Sequence, residues 1–195
     1  MTGHNKDITS QKELLESIII NNEFLFDFIE KSSFLGLKDY YIGSGCIAQT
    51  VWNHVEGFEP MYGIDDIDFV YFDSSDLSID AENKIAKRVN KLIKSDVNLD
   101  IINQARVHLW YEEHFGYPLK PYSSLESAIN TWPTTATSIG VRLENTAFKV
   151  YAPYGLNDLF GMIVRANKTQ INENTYIKKV DKWTKKWSSL IIVPW

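Results

Sequence analysis

Apolar residues recur at helical spacing over residues 10–31: Leu14, Leu15, Ile18 and Ile19, then Phe24, Leu25, Phe28 and Ile29. Pairs three and four apart lay a continuous stripe along one side of a helix. Ser10 and Glu13 stand at capping-box spacing, and Asn21-Asn22 predicts a break into two helices. After a loop at 32–38 the pattern changes. Asp39–Ile42 is short and β-prone, and Gly43-Ser44-Gly45 ends it. Helical spacing returns over 46–55 with Ile47, Val51 and Val55 on one face, and Gly57, Pro60 and Gly63 make 56–64 a loop. Ile67–Phe72 is almost wholly apolar and predicts a strand covered on both faces. Asp80–Lys94 predicts an amphipathic helix with Ile85, Val89 and Leu92 facing in, and Val97–Ile102 a third strand.

The second half is less regular. Gln104–His114 and Ser123–Thr131 are short helix candidates, the latter stopped at Trp132-Pro133. Ser138–Leu143 and Ala147–Tyr151 alternate as a hairpin about Glu144-Asn145-Thr146. Leu156–Ile163 and Tyr176–Ser189 predict two further helices, the last one basic. No repeat or long linker interrupts the chain. The expectation is one α+β domain over 1–195: a mixed sheet with helices gathered on one side, a core at about 35–165 and a basic helical tail at 172–190.

Composition narrows the possibilities. The chain has 195 residues, 44% of them hydrophobic and 23% charged, which suits an ordinary globular domain. The apolar runs are too short for a membrane span, and the polar start lacks signal-peptide order. A single cysteine, Cys46, excludes an internal disulfide framework, so a reducing, cytoplasmic setting is expected. The net charge of −5 disfavours, without excluding, a nucleic-acid-coating role.

That charge is unevenly spread. Between Lys38 and Lys84 there is no Lys or Arg, while ten acidic residues run from Asp39 to Glu82. From Arg165 onward seven basic residues face two acidic ones. One reading is solubility with attraction between the two regions. The other is that the acidic centre holds a divalent cation, which would offset the mutual repulsion of clustered carboxylates. The basic tail is likewise either a solvated helix face or a surface for a nucleic-acid acceptor.

Three features stand in order: strand–Gly43-Ser44–helix, the strand motif Asp66-Ile67-Asp68, and Asp100 within Asn98-Leu99-Asp100-Ile101-Ile102. Residues i and i+2 of a strand share a face, about 7 Å apart along it. Asp66 and Asp68 therefore project together from an apolar strand, a costly arrangement without a counter-charge. A Gly-Ser turn opening a helix offers free backbone N–H groups to an anion.

This set resembles the active-site pattern of the polymerase-β-like nucleotidyltransferase superfamily. More narrowly, the chain is similar to a bacterial nucleotidyltransferase-like family, through Ile67-Asp68-Phe69-Val70-Tyr71-Phe72-Asp73, Asn103-Gln104-Ala105-Arg106-Val107-His108-Leu109-Trp110, Pro121-Tyr122-Ser123-Ser124 and Ala152-Pro153-Tyr154-Gly155-Leu156-Asn157-Asp158-Leu159-Phe160. The resemblance spans about residues 35–170. It implies a nucleotidyltransferase-like mixed β-sheet flanked by helices, with helical N- and C-terminal extensions. It implies Mg2+ or Mn2+ as cofactor and transfer of a nucleoside monophosphate from an NTP to a hydroxyl acceptor, releasing pyrophosphate. That acceptor is a small molecule, a protein or an RNA end; a catalytically inactive binding module of the same fold is the alternative. Gly43 and Ser44 match the phosphate-binding turn, Asp66 and Asp68 the paired metal ligands, and Asp100 the third carboxylate and candidate base. Arg142 is a candidate triphosphate clamp. One departure stands out: 21 residues separate Ser44 from Asp66, more than the superfamily's short connection.

Overall fold

The structure, a computed structural model, describes residues 3–93 and 97–195. Two helices open it, α1 (Ile8–Asn21) and α2 (Glu23–Ser32). The cap of α1 is Asp7, not Ser10. The Asp7 carboxylate accepts the backbone N–H of Thr9 and Ser10, and the Ser10 hydroxyl donates to it at 2.7 Å. A carboxylate is the stronger acceptor at the positive end of a helix, so Ser10 becomes a donor to the cap. Asn22 does divide the run: its side chain accepts the Leu25 N–H and caps α2. Leu15, Ile18, Ile19, Leu25, Phe28 and Ile29 are buried, as the stripe requires.

The chain then alternates strand and helix through β1 (Tyr40–Gly43), α3 (Gly45–Glu56), β2 (Asp66–Tyr71), α4 (Ile79–Val89) and β3 (Asn98–Asn103). α4 ends at Val89, capped at Asn90, short of the expected Lys94: residues 90–92 are turn, and Lys94 itself lies outside the described residues. Gln104–Leu109 is a 3-10 turn and only Tyr111–Phe115 is α-helical (α5), so the single helix expected at 104–114 is divided. A short helix α6 (Leu125–Ile129) precedes the hairpin β4 (Gly140–Glu144) and β5 (Ala147–Tyr151). Then come α7 (Asn157–Phe160), β6 (Ile163–Val164), α8 (Glu173–Thr184) and β7 (Ile191–Ile192).

Five strands form one mixed sheet in the order β3-β2-β1-β4-β5. β2 and β3 run parallel and the other neighbours antiparallel. Alternation sorts its side chains. Tyr40, Ile42, Ile67, Phe69, Tyr71 and Val141 join the main core built with α1, α2 and α3. Tyr41 and Val70 point the other way and pack on Leu125 and Ile129 of α6. Helices are therefore not confined to one side, because Tyr41 and Val70 leave apolar surface there that must be covered.

The C-terminal region is bound firmly to this frame. Trp52 of α3 is fully buried, and the rings of Trp183 and Trp187 meet it edge-on at 5.5 Å each. Such pairs contribute about 0.5–1.5 kcal/mol beyond area burial. The Trp187 indole N–H also donates to Asn53 Oδ1 at 2.7 Å. β7 returns to pair parallel with β6, a two-stranded unit with no counterpart among the sequence expectations.

Candidate active site

Gly43 closes β1 opposite Asp68, and the chain turns at once into α3. A Cβ on Gly43 would lie 2.4 Å from the Ile139 carbonyl oxygen and 3.0 Å from the Trp132 ring, so no larger residue fits. Ser44 follows with φ 60 and ψ −130, a backbone conformation natural to glycine. A side chain there costs on the order of 1–3 kcal/mol. The Ser44 N–H is fixed to the Ile139 carbonyl at 2.9 Å. The N–H groups of Gly45, Cys46 and Ile47 open α3 and have no carbonyl one turn back within the helix.

The strand register brings the aspartates to this turn. Asp68 lies beside Gly43 on one side and Asp100 on the other, and Asp66 is one same-face step away. All three are half-buried. Burial, then Asp66, then Asp100 push the Asp68 carboxyl up to about 7; Lys179 and a hydrogen bond from Ser44 act in the opposite direction. The Asp100 carboxylate accepts the Asn98 side-chain amide at 2.6 Å. Among the described residues no group of three or more His, Cys, Asp or Glu is placed to hold a metal ion. The donor type fits one all the same: Asp66, Asp68 and Asp100 offer carboxylate oxygens of the kind a hard divalent cation such as Mg2+ or Mn2+ takes.

Lys179, on α8, completes the electrostatics. Burial lowers its ammonium below the usual lysine value, while Asp68 and Asp66 pull it back up. Its Nζ lies 5.6 Å from the centre of the Trp183 ring. Farther along, Lys182 and Lys186 both pair with Asp65, at 3.2 and 2.8 Å, and Lys186 also donates to the Gly63 carbonyl. These bonds hold the Asp65 carboxyl below its ordinary value. The basic face of α8 is thus turned toward the acidic centre of its own chain. The long connection after α3 is pinned as well, since the Asn53 amide donates to the carbonyls of Pro60 and Tyr62.

Not every singled-out residue meets here. Arg142 lies on the same face of the sheet, but it pairs with Glu144 at 3.1 Å and its guanidinium sits 4.8 Å over the Tyr41 ring. It is not brought to the aspartates. Arg106 binds Glu82 in a buried ion pair and donates to the Leu77 carbonyl, a structural role. Asp73 caps the turn at Ser75. Cys46 is fully buried, its thiol pushed well up by burial and then by Asp68, which rules out a ready nucleophile. Lys179 is the residue sequence reasoning missed. Its only advance signal was the surplus of positive charge in the tail.

No helix among the described residues is long and apolar enough to cross a membrane. No curated protein matches the chain. A solved NMR structure described as a CCA-adding enzyme head domain superposes with a TM-score of 0.71 and 27% sequence identity, covering 88% of this chain and 90% of that one. A family model described as "Nucleotidyltransferase" matches residues 30–192, across every strand of the sheet and the whole aspartate row. The chain therefore belongs to this nucleotidyltransferase family.

Proposed function

We propose that the protein is a metal-dependent nucleotidyltransferase that moves a nucleoside monophosphate from an NTP to a hydroxyl acceptor. The observation that carries this reading is the strand register, which sets Asp66, Asp68 and Asp100 on one sheet face beside the strained Ser44 that starts α3. Burial and the two neighbouring carboxylates push the Asp68 carboxyl up to about 7, in keeping with that crowding. A fold with no use for a cation would gain by replacing one of these carboxylates with an amide. The CCA-adding head domain, 27% identical over most of both chains, supports the same class of chemistry.

In this reading Asp66, Asp68 and Asp100 hold Mg2+ or Mn2+. The ion supplies charge neutralisation for the triphosphate and acidifies the attacking hydroxyl. Gly43 and Ser44 set the turn, and the free N–H groups opening α3 bind phosphate oxygens. Asp100 takes the acceptor proton as the new oxygen–phosphorus bond forms and the bond to pyrophosphate breaks. Lys179 adds a positive charge beside the same carboxylates. Arg142 would join the triphosphate only by leaving Glu144.

The test is thermal stability of the full chain with Mg2+ and each NTP. A live site gains stability by mass action, and Asp66→Asn with Asp68→Asn abolishes the gain. Absence of any shift at millimolar NTP argues for an inactive member of the fold.

A further inference from the structure

A cavity of about 240 Å³ opens beside the aspartate row, on the same face of the sheet. Ile102, two residues beyond Asp100 on β3, forms part of its floor. Trp132, whose ring packs over Gly43, forms one wall, and Lys179 lines both the cavity and the surroundings of Asp68. Trp110 and Tyr111 complete an aromatic lining. The cavity is smaller than the roughly 300–1,000 Å³ that encloses a whole drug-sized ligand, so it suits a single ring system.

Its polar groups are few and unequal. Tyr122 and Gln170 are bonded to each other at 2.7 Å. Gln104 is different: it is 6% exposed, lines the cavity and makes no side-chain hydrogen bond to any described residue. Its amide atoms keep access to the cavity, so a ligand there can hydrogen-bond to them in place of solvent. An amide presents a donor and an acceptor together, as does the hydrogen-bonding edge of a nucleobase. Flat aromatic walls stack such a base.

We propose that this cavity holds the nucleobase of the donor nucleotide, stacked among Trp110, Tyr111 and Trp132 and hydrogen-bonded along its edge by Gln104. The inference rests on the nucleotidyltransferase reading and adds to it a base-reading subsite. Lys179 then stands between base and phosphates.

The test compares ATP, GTP, CTP and UTP with inorganic tripolyphosphate, each titrated with Mg2+ into the full chain while tryptophan emission is followed. At least one NTP should bind roughly tenfold or more tightly than tripolyphosphate, the worth of stacking one base. That NTP should quench emission while tripolyphosphate does not. Gln104→Leu should weaken the NTP and leave tripolyphosphate unchanged, which also shows that the variant is folded. Trp110→Phe should reduce the quench. Equal affinity for NTP and tripolyphosphate, or equal weakening of both in Gln104→Leu, overturns the base-binding role alone. Failure of both ligands to bind overturns the enzyme reading and this inference with it.

Discussion

Lys179 of α8 and Asp68 of β2 act on each other on the sheet face opposite the main core: the lysine draws the carboxyl down, and the aspartate draws the ammonium up. The attraction does not prevail. Burial and two neighbouring carboxylates keep Asp68 near 7, and burial keeps Lys179 low. The site is therefore short of positive charge.

That imbalance sets a pH dependence. Asp68 has a folded-state value of about 7 against an ordinary aspartate value of 3.8, so between these values the folded chain binds more protons than the unfolded one. Stability from this group is full below about pH 4, falls as pH rises toward 7 and levels off above. At about 1.4 kcal/mol per pH unit the loss amounts to a few kcal/mol. The difference between wild type and Asp68→Asn in urea unfolding, measured without metal from pH 4 to 8, should show this slope. Lys179→Met should move its midpoint upward. A flat difference curve would show that Asp68 ionises normally.

Ser44 carries strain that stability alone would not retain. Ser44→Gly should raise stability by on the order of 1 kcal/mol, because glycine accepts φ 60 without cost. The same change removes the hydroxyl that donates to Asp68, so stabilisation by Mg2+ and NTP should shrink. Thermal melts with and without ligand read both effects. A glycine variant that is less stable than wild type would show that the turn is not strained.

The Arg106–Glu82 pair is a support for the fold and lies outside the site. Glu82 also accepts the Asn103 N–H at the end of β3. Glu82→Ala leaves Arg106 buried without its carboxylate and should cost roughly 3–5 kcal/mol. Metal and NTP affinity of the molecules that remain folded should not change. Calorimetric titration of the variant at low temperature checks this, and weakened metal binding would place the pair inside the site.

Much of this was legible in the sequence because it rests on local rules. The alternation that sends Ile67 and Phe69 into the core sends Asp66 and Asp68 to the other face, and the strand carrying Asp100 was recognisable by its apolar run. Asn22 announced its helix break by the same local chemistry. The failures have two sources. Asp7 is a local signal that was passed over: a carboxylate three residues before Ser10 outcompetes its hydroxyl for the helix start. Arg142 is held by Glu144, two residues along the same strand, and by Tyr41, which only the pairing of β4 with β1 brings beneath it. Lys179 comes near enough to act on Asp68 because Trp183 of α8, and Trp187 just after it, pack on Trp52, an arrangement that no periodicity encodes.

The proposed chemistry requires that the aspartate row take a cation. Mn2+ titration of the full chain, followed by electron paramagnetic resonance at pH 6, 7 and 8, reads this directly. The prediction is saturable binding that tightens with pH up to about 7, where Asp68 gives up its proton, then levels off, and that is lost in Asp68→Asn. Mn2+ binding that is absent, or equally strong in Asp68→Asn, would contradict the proposed chemistry.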